Sequence, residues 1–200
     1  MTQQTLYRQL RDRRDRMTPP PGFAWPEISD GQLVMMMSPR PRHQYTAKLV
    51  SRQLDEQLPE GFFAFEATDT DDESLGTLRI PDILVCPSEA MQTDDPLDPR
   101  EIVLAIEIVS PSNPGNDYEN KTRDYPAMGI PHYLIIDPRD GTWTYQWGIG
   151  RNDGRPAYEN RLHLPYGDPV TVSTDLGAWT IDTTGLPRYS AKDMGLPQEP

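Results

Sequence analysis

Glu107 lies in the run Glu101-Ile-Val-Leu-Ala-Ile-Glu107-Ile-Val-Ser110, where a carboxylate needs a partner. Side chains alternate along a strand, so Val103, Ala105, Glu107 and Val109 share one face and Ile102, Leu104, Ile106 and Ile108 the other. An ionised carboxylate on an apolar face is costly unless a metal, a cation or a proton compensates it. Asp82 repeats the pattern in Arg79-Ile-Pro-Asp-Ile-Leu-Val-Cys86, directly after Pro81. Proline inside a strand implies an edge or a bulge, and a bulge re-aims the next side chain. Two inward carboxylates on neighbouring strands are the oxygen ligands a hard divalent cation takes.

Lys121 is one of only three lysines, in Asp117-Tyr-Glu-Asn-Lys-Thr-Arg-Asp-Tyr125. A helix here, with Asp117 as its cap, puts Lys121 and Tyr125 on one face, four residues apart. A helix that directly follows the Glu107 strand lets Lys121 reach back to that strand's end. There its charge could orient a water or stabilise charge developing on a phosphate. Each residue also has an ordinary account. Glu107 fits a strand-end ion pair with an arginine, Asp82 an Asx turn after Pro81, and Lys121 a solvated surface position.

The elements that must position these groups are legible as short apolar runs. Residues 1–17 read as a helix with Leu6, Tyr7 and Leu10 on one side, ended by the prolines that follow. Residues 26–35 read as a hairpin turning at Asp30-Gly31. His43, Ala47, Val50, Leu54 and Leu58 recur at helical spacing, which predicts a helix over 43–58 stopped by Pro59-Glu-Gly61. His43 starts that inward stripe; by itself it reads as a core residue at a helix start more than as a ligand. Runs at 62–67, 77–86, 101–110 and 132–137 read as strands, most of them buried on both faces. A helical stretch at 115–129 between the last two makes a strand–helix–strand unit with a parallel pair. Residues 142–147 extend the sheet, and 161–164 with 170–173 form a further strand pair. The expected organisation is an N-terminal helix and Pro-rich connector over 1–22, one α/β domain over 23–185, and a C-terminal tail over 186–200.

Composition narrows the class. The 200 residues carry a net charge of −12, which argues against indiscriminate nucleic-acid binding and leaves room for a local basic groove. The one cysteine, Cys86, lies in an apolar run, reads as a buried small hydrophobe and permits no intrachain disulfide. With neither a membrane-length apolar stretch nor a signal-peptide core, the expected location is the cytoplasm.

In order, Pro81-Asp82, Ala105-Ile-Glu107-Ile-Val-Ser110-Pro-Ser, Lys121, Tyr125 and Gly129-Ile-Pro-His-Tyr-Leu-Ile-Ile-Asp137-Pro resemble the Uma-two family of restriction endonucleases. That family falls in the PD-(D/E)XK nuclease superfamily. The likeness begins at Ile28-Ser-Asp-Gly-Gln-Leu-Val and Ser38-Pro, takes in His43-Gln, and runs to about Trp147. It implies a central mixed β-sheet flanked by helices and hydrolysis of DNA phosphodiester bonds with Mg²⁺ or Mn²⁺. It implies metal ligation by Asp82 and Glu107 and catalytic roles for these two, Lys121, Tyr125 and His43, with His43 brought near the site from the first core helix. The superfamily's lysine usually stands two residues after the acid; here that position is Val109, and the resemblance points to Lys121 as the relocated cation. Arg40, Arg42, Lys48 and Arg123 are the expected phosphate contacts, and cutting both strands of a duplex would favour a two-fold homodimer. Two other classes share these features: a catalytically silent binding module of the same fold, and a metal-dependent hydrolase of a small phosphorylated compound. Metal-dependent nicking of DNA separates the first from a nuclease; an open Arg-lined groove rather than a narrow pocket separates the second.

Overall fold

The computed structural model describes residues 2–195; Met1 and the last five residues of the expected C-terminal tail lie outside the described residues. The chain opens with α1 (Gln3–Arg16), capped by the Thr2 side chain on the Thr5 N–H. The hairpin β1 (Glu27–Ser29) and β2 (Gln32–Val34) follows. It turns at Asp30 and Gly31, with φ of 49° and 71°, the left-handed pair a two-residue turn requires. Tyr7 of α1 packs on Ile28 and Leu78 of a small sheet ordered β2-β1-β5-β4, where β4 is Thr70–Asp72 and β5 is Thr77–Arg79.

The helix expected over 43–58 is α2, Pro41–Asp55. It starts two residues earlier because Pro41 sits where its missing N–H costs nothing. It ends before Leu58, which packs on the core from the turn beyond, so the stop does not wait for Pro59. The run expected as one strand over 77–86 is two. Pro81-Asp82 breaks it into β5 and β6 (Ile83–Pro87), which belong to different sheets.

The large sheet has the order β10-β9-β8-β7-β6-β3. Its strands are β3 (Phe62–Glu66), β6, β7 (Leu104–Ile108), β8 (His132–Asp137), β9 (Thr142–Asn152) and β10 (Arg155–Pro165). Only β7 and β8 run parallel, as the strand–helix–strand reading requires. At the other end β9 runs past Gly148 and pairs along its length with β10. The pairing expected between 161–164 and 170–173 is therefore absent: β11 (Val170–Thr174) pairs with β12 (Gly177–Ile181). β10 is an edge strand that folds back on β9 through the turn at Asp153 and Gly154, while β11 and β12 form a two-stranded sheet of their own.

Both faces of the large sheet are covered. Ala47, Val50 and Leu54 of α2, with Trp179 and Ile181 of β12, bury the face bearing Ile83, Leu104, Ile106, Leu134 and Ile136. On the other face Tyr125 and Met128 bury Leu84, Ala105, Val109 and Tyr133. Glu107 belongs to this second face by alternation. The stretch expected as one helix over 115–129 is a π-helical turn at Asn116–Lys121 leading into α3 (Thr122–Ala127). Single π turns concentrate at functional sites, because they swing side chains out of the α-helical phase.

Candidate active site

The β6–β7 register sets the geometry. Ile83 opposes Ile106, so Asp82 and Glu107 stand one step beyond, on neighbouring strands. The Asp82 Oδ2 accepts the Ile108 N–H at 2.7 Å and lies 3.1 Å from His43 Nε2. His43 comes from the first turn of α2 and is 8% exposed. Burial pulls its imidazole down, but the charge and hydrogen bond of Asp82 outweigh burial and hold it above its ordinary value. Burial raises the Asp82 carboxyl, and His43 with Lys121 outweighs that and holds it below.

Glu107 is 2% exposed. Its Oε1 accepts the Tyr125 O–H, and its Oε2 lies 2.7 Å from Lys121 Nζ. Lys121 is buried, not solvated, and also stands 3.5 Å from Glu27 Oε1 and 3.6 Å from Asp117 Oδ1. The ion-pair account of Glu107 thus has the wrong cation: its partner is a lysine, not an arginine. Asp117 corrects another expectation. It caps nothing; Gly115 holds the cap position, and the π turn carries Asp117 inward to 6% exposure. The Tyr133 hydroxyl donates to the Asp117 carbonyl at 2.9 Å and pins the turn.

Glu27 and Arg79 are the residues that sequence reasoning missed. Arg79 is fully buried; it reaches Glu27 at 2.6 Å, Ser29 at 2.9 Å and the Asp124 carboxylate. Glu27 also accepts the Ile80 N–H at 3.0 Å. The signal was present: an arginine inside an apolar run calls for buried carboxylates as much as an aspartate there calls for a cation. Arg79→Met leaves Glu27 and Asp124 buried without it. We expect a loss of about 3–5 kcal/mol in a urea melt, against the small loss an exposed arginine would give.

Glu27, Asp82, Glu107, Lys121 and His43 line one cleft of about 590 Å³, and Tyr125 lies behind Glu107. The charge there is lopsided. Four carboxylates, from Glu27, Asp82, Glu107 and Asp117, face Lys121, with His43 and Arg79 at the margins. Burial and neighbouring carboxylates, against the opposing pull of Lys121, push the Asp117 carboxyl up to about 7 and the Glu107 carboxyl well above its usual range. Such a surplus of oxygen donors suits a hard dication. Among the described residues no group of three or more His, Cys, Asp or Glu side chains is arranged to hold a metal. Asp82 and Glu107 are the carboxylates that could hold a cation, one that keeps several of its waters. Tyr125→Phe removes only the hydroxyl that holds Glu107 Oε1. We expect a stability loss of roughly 1–2 kcal/mol by thermal melt, and about a tenfold loss of any activity that Glu107 supports. An unchanged activity would separate Tyr125 from the site.

The expected phosphate contacts are all engaged within the chain. Arg40 donates to the Asp193 carbonyl at 3.0 Å, and Arg42 to the Arg188 carbonyl at 2.7 Å. Lys48 lies 3.8 Å from Glu66, and Arg123 pairs with Asp30 at 2.9 Å and Asp124 at 2.8 Å. Among the described residues no helix is long and apolar enough to cross a membrane.

The family model for Uma2, described as "Putative restriction endonuclease", matches residues 15–184. Among solved structures the chain is similar to one from Anabaena variabilis described as "a putative nuclease belonging to DUF820". The TM-score is 0.58 at 16% identity, covering 92% of this chain and 95% of that one, a likeness of fold. No curated protein matches.

Proposed function

From the premise that this chain belongs to the Uma2 family of restriction-endonuclease-type proteins, we propose that it is a metal-dependent nuclease hydrolysing DNA phosphodiester bonds. The observation that carries the reading is the pairing of Asp82 with Glu107 at adjoining strand ends, with Lys121 on Glu107, in one cleft. A divalent cation held by Asp82 and Glu107, Mg²⁺ or Mn²⁺, would supply Lewis-acid polarisation of the phosphate and a water of lowered pKa.

The chain's own residues do the rest. His43 and the Ile108 N–H both bind Asp82 Oδ2, so they fix that carboxylate and leave Oδ1 free of either bond. Tyr125 and Lys121 take one oxygen each of Glu107, and each oxygen keeps a second lone pair. Lys121 has three N–H donors in a wall of carboxylates, and a donor turned toward the cleft would hold the phosphate or the attacking water. Burial of Lys121 among Glu107, Glu27 and Asp117 keeps it charged: desolvation lowers its pKa, and those three carboxylates raise it further than burial lowers it. It thus acts as a fixed positive charge and not as a proton donor. The test is nicking of supercoiled plasmid with Mg²⁺ or Mn²⁺, with EDTA and Glu107→Gln as controls. Metal-dependent nicking lost in both controls supports the reading. No nicking with any divalent cation, from a folded protein, would leave a silent module of the same fold.

A further inference from the structure

One wall of the cleft is apolar and is not used by the chemistry above. The two flanks of the β1–β2 hairpin run side by side, through a bridge between Phe23 and Met37 and the Ala24 N–H on the Met36 carbonyl at 2.9 Å. They present Trp25, Met35, Met36 and Met37 to the cleft, with Ile80 and Met194 beside them. Trp25 is 45% exposed and Met37 53%. Large side chains left in water next to a site mark a binding surface.

The indole is held in place. Arg14 lies 5.6 Å from its ring centroid, and that arginine is itself buried, bonded to the Pro26 carbonyl at 2.7 Å and to Asp69. A ring fixed before binding loses little entropy when a ligand stacks on it.

Charge argues about the occupant. Five carboxylates line the cleft, from Glu27, Asp82, Glu107, Asp117 and Asp193, against Lys121, Arg40 and His43. Arg40 is already bonded to a carbonyl and Lys121 to carboxylates. Duplex DNA binds chiefly through many phosphate neutralisations, which this lining lacks. Unpaired strands also use backbone charge, but their exposed bases add stacking on aromatic side chains that a paired duplex cannot offer. A cleft of about 590 Å³ also takes a nucleotide, not a duplex.

We propose that the substrate strand enters this cleft unpaired, with a base next to the scissile phosphate stacked against Trp25 and the Met35–Met37 wall. The inference rests on the nuclease reading and narrows its substrate to single-stranded DNA, or to loops and flaps within a duplex.

The test compares one labelled oligonucleotide as a single strand, as a perfect duplex, and as a duplex with a central unpaired loop, all with Mn²⁺. The expected result is cleavage of the single strand and the loop at least about tenfold faster than of the duplex. Trp25→Ala should raise the KM for the single strand about tenfold, the loss of one stacked base, and Trp25→Phe should restore most of it. Met37→Ser, at an exposed position, gives a smaller rise and serves if Trp25→Ala melts early. Equal cleavage of all three substrates, with no effect of Trp25→Ala, overturns the inference and leaves the nuclease reading standing. If nothing is cleaved, fluorescence anisotropy of the single strand decides. Binding to the metal-free protein that weakens with Trp25→Ala supports the base wall by itself; absence of binding overturns it. A Trp25→Ala effect confined to the oligomeric state, by light scattering, makes the wall an interface between copies and also overturns it.

Discussion

Replacing Lys121 with methionine should lower the melting temperature of the metal-free protein by roughly 10 °C. Lys121 is the hub of the buried charge, 2.7 Å from Glu107, 3.5 Å from Glu27 and 3.6 Å from Asp117. Removing one member of a buried ion pair costs about 3–5 kcal/mol, because the charge left behind has lost its compensation. In a domain of this size each kcal/mol moves the midpoint by about 2–4 °C. Methionine fills much the same volume, so little of the loss is a cavity. The sign of the metal effect distinguishes a cation site from a structural knot. Without Lys121 a positive charge no longer opposes a dication, so Mn²⁺ should stabilise the variant more than it stabilises the parent. Activity should nevertheless fall, since the donor near the phosphate is gone. A variant that melts like the parent would mean the lysine is not the hub. One that Mn²⁺ fails to rescue would argue against a dication among these carboxylates.

Glu107→Gln should do the reverse. It keeps the shape, can still accept from Tyr125, and removes one negative charge from an over-acidic cluster. Lys121 retains Glu27 and Asp117, so no cation is stranded. Metal-free stability should therefore hold or rise by up to about 1–2 kcal/mol, as when a charge kept for function is removed. Nicking should fall on the order of a thousandfold, and stabilisation by Mn²⁺ should vanish. The pair of readouts matters more than either alone. A Glu107→Gln protein that melts lower and still cuts DNA would remove Glu107 from the site and make its contact with Lys121 a structural ion pair.

The sequence by itself determined the frame and the face of the sheet on which Glu107 lies. Apolar runs too short for helices, a helix-period stripe from His43 to Leu54, and a polar link between two runs dictate a covered mixed sheet with one parallel pair. Strand alternation alone puts Glu107 with Ala105 and Val109, the face that Tyr125 buries. These inferences held because they rest on local periodicity. Pro81 announced a break before Asp82, but not that the break would send β5 and β6 into different sheets. The β9–β10 hairpin is a different case: its turn residues Asp153 and Gly154 are local, and the expected strand ended too early, at Trp147, to reach them. Tertiary structure alone decided who shares the buried charge. Glu27 and Arg79 come from strands 52 residues apart in the chain and meet at 2.6 Å. Asp117 looked like a cap because Asp usually caps; a π turn, pinned by Tyr133 from another strand, turned it inward. A carboxylate's need for a partner is written in its immediate neighbours, because burial is a property of the local pattern. The identity of the partner is not, because it depends on which distant side chains the packed sheet brings within a few ångströms.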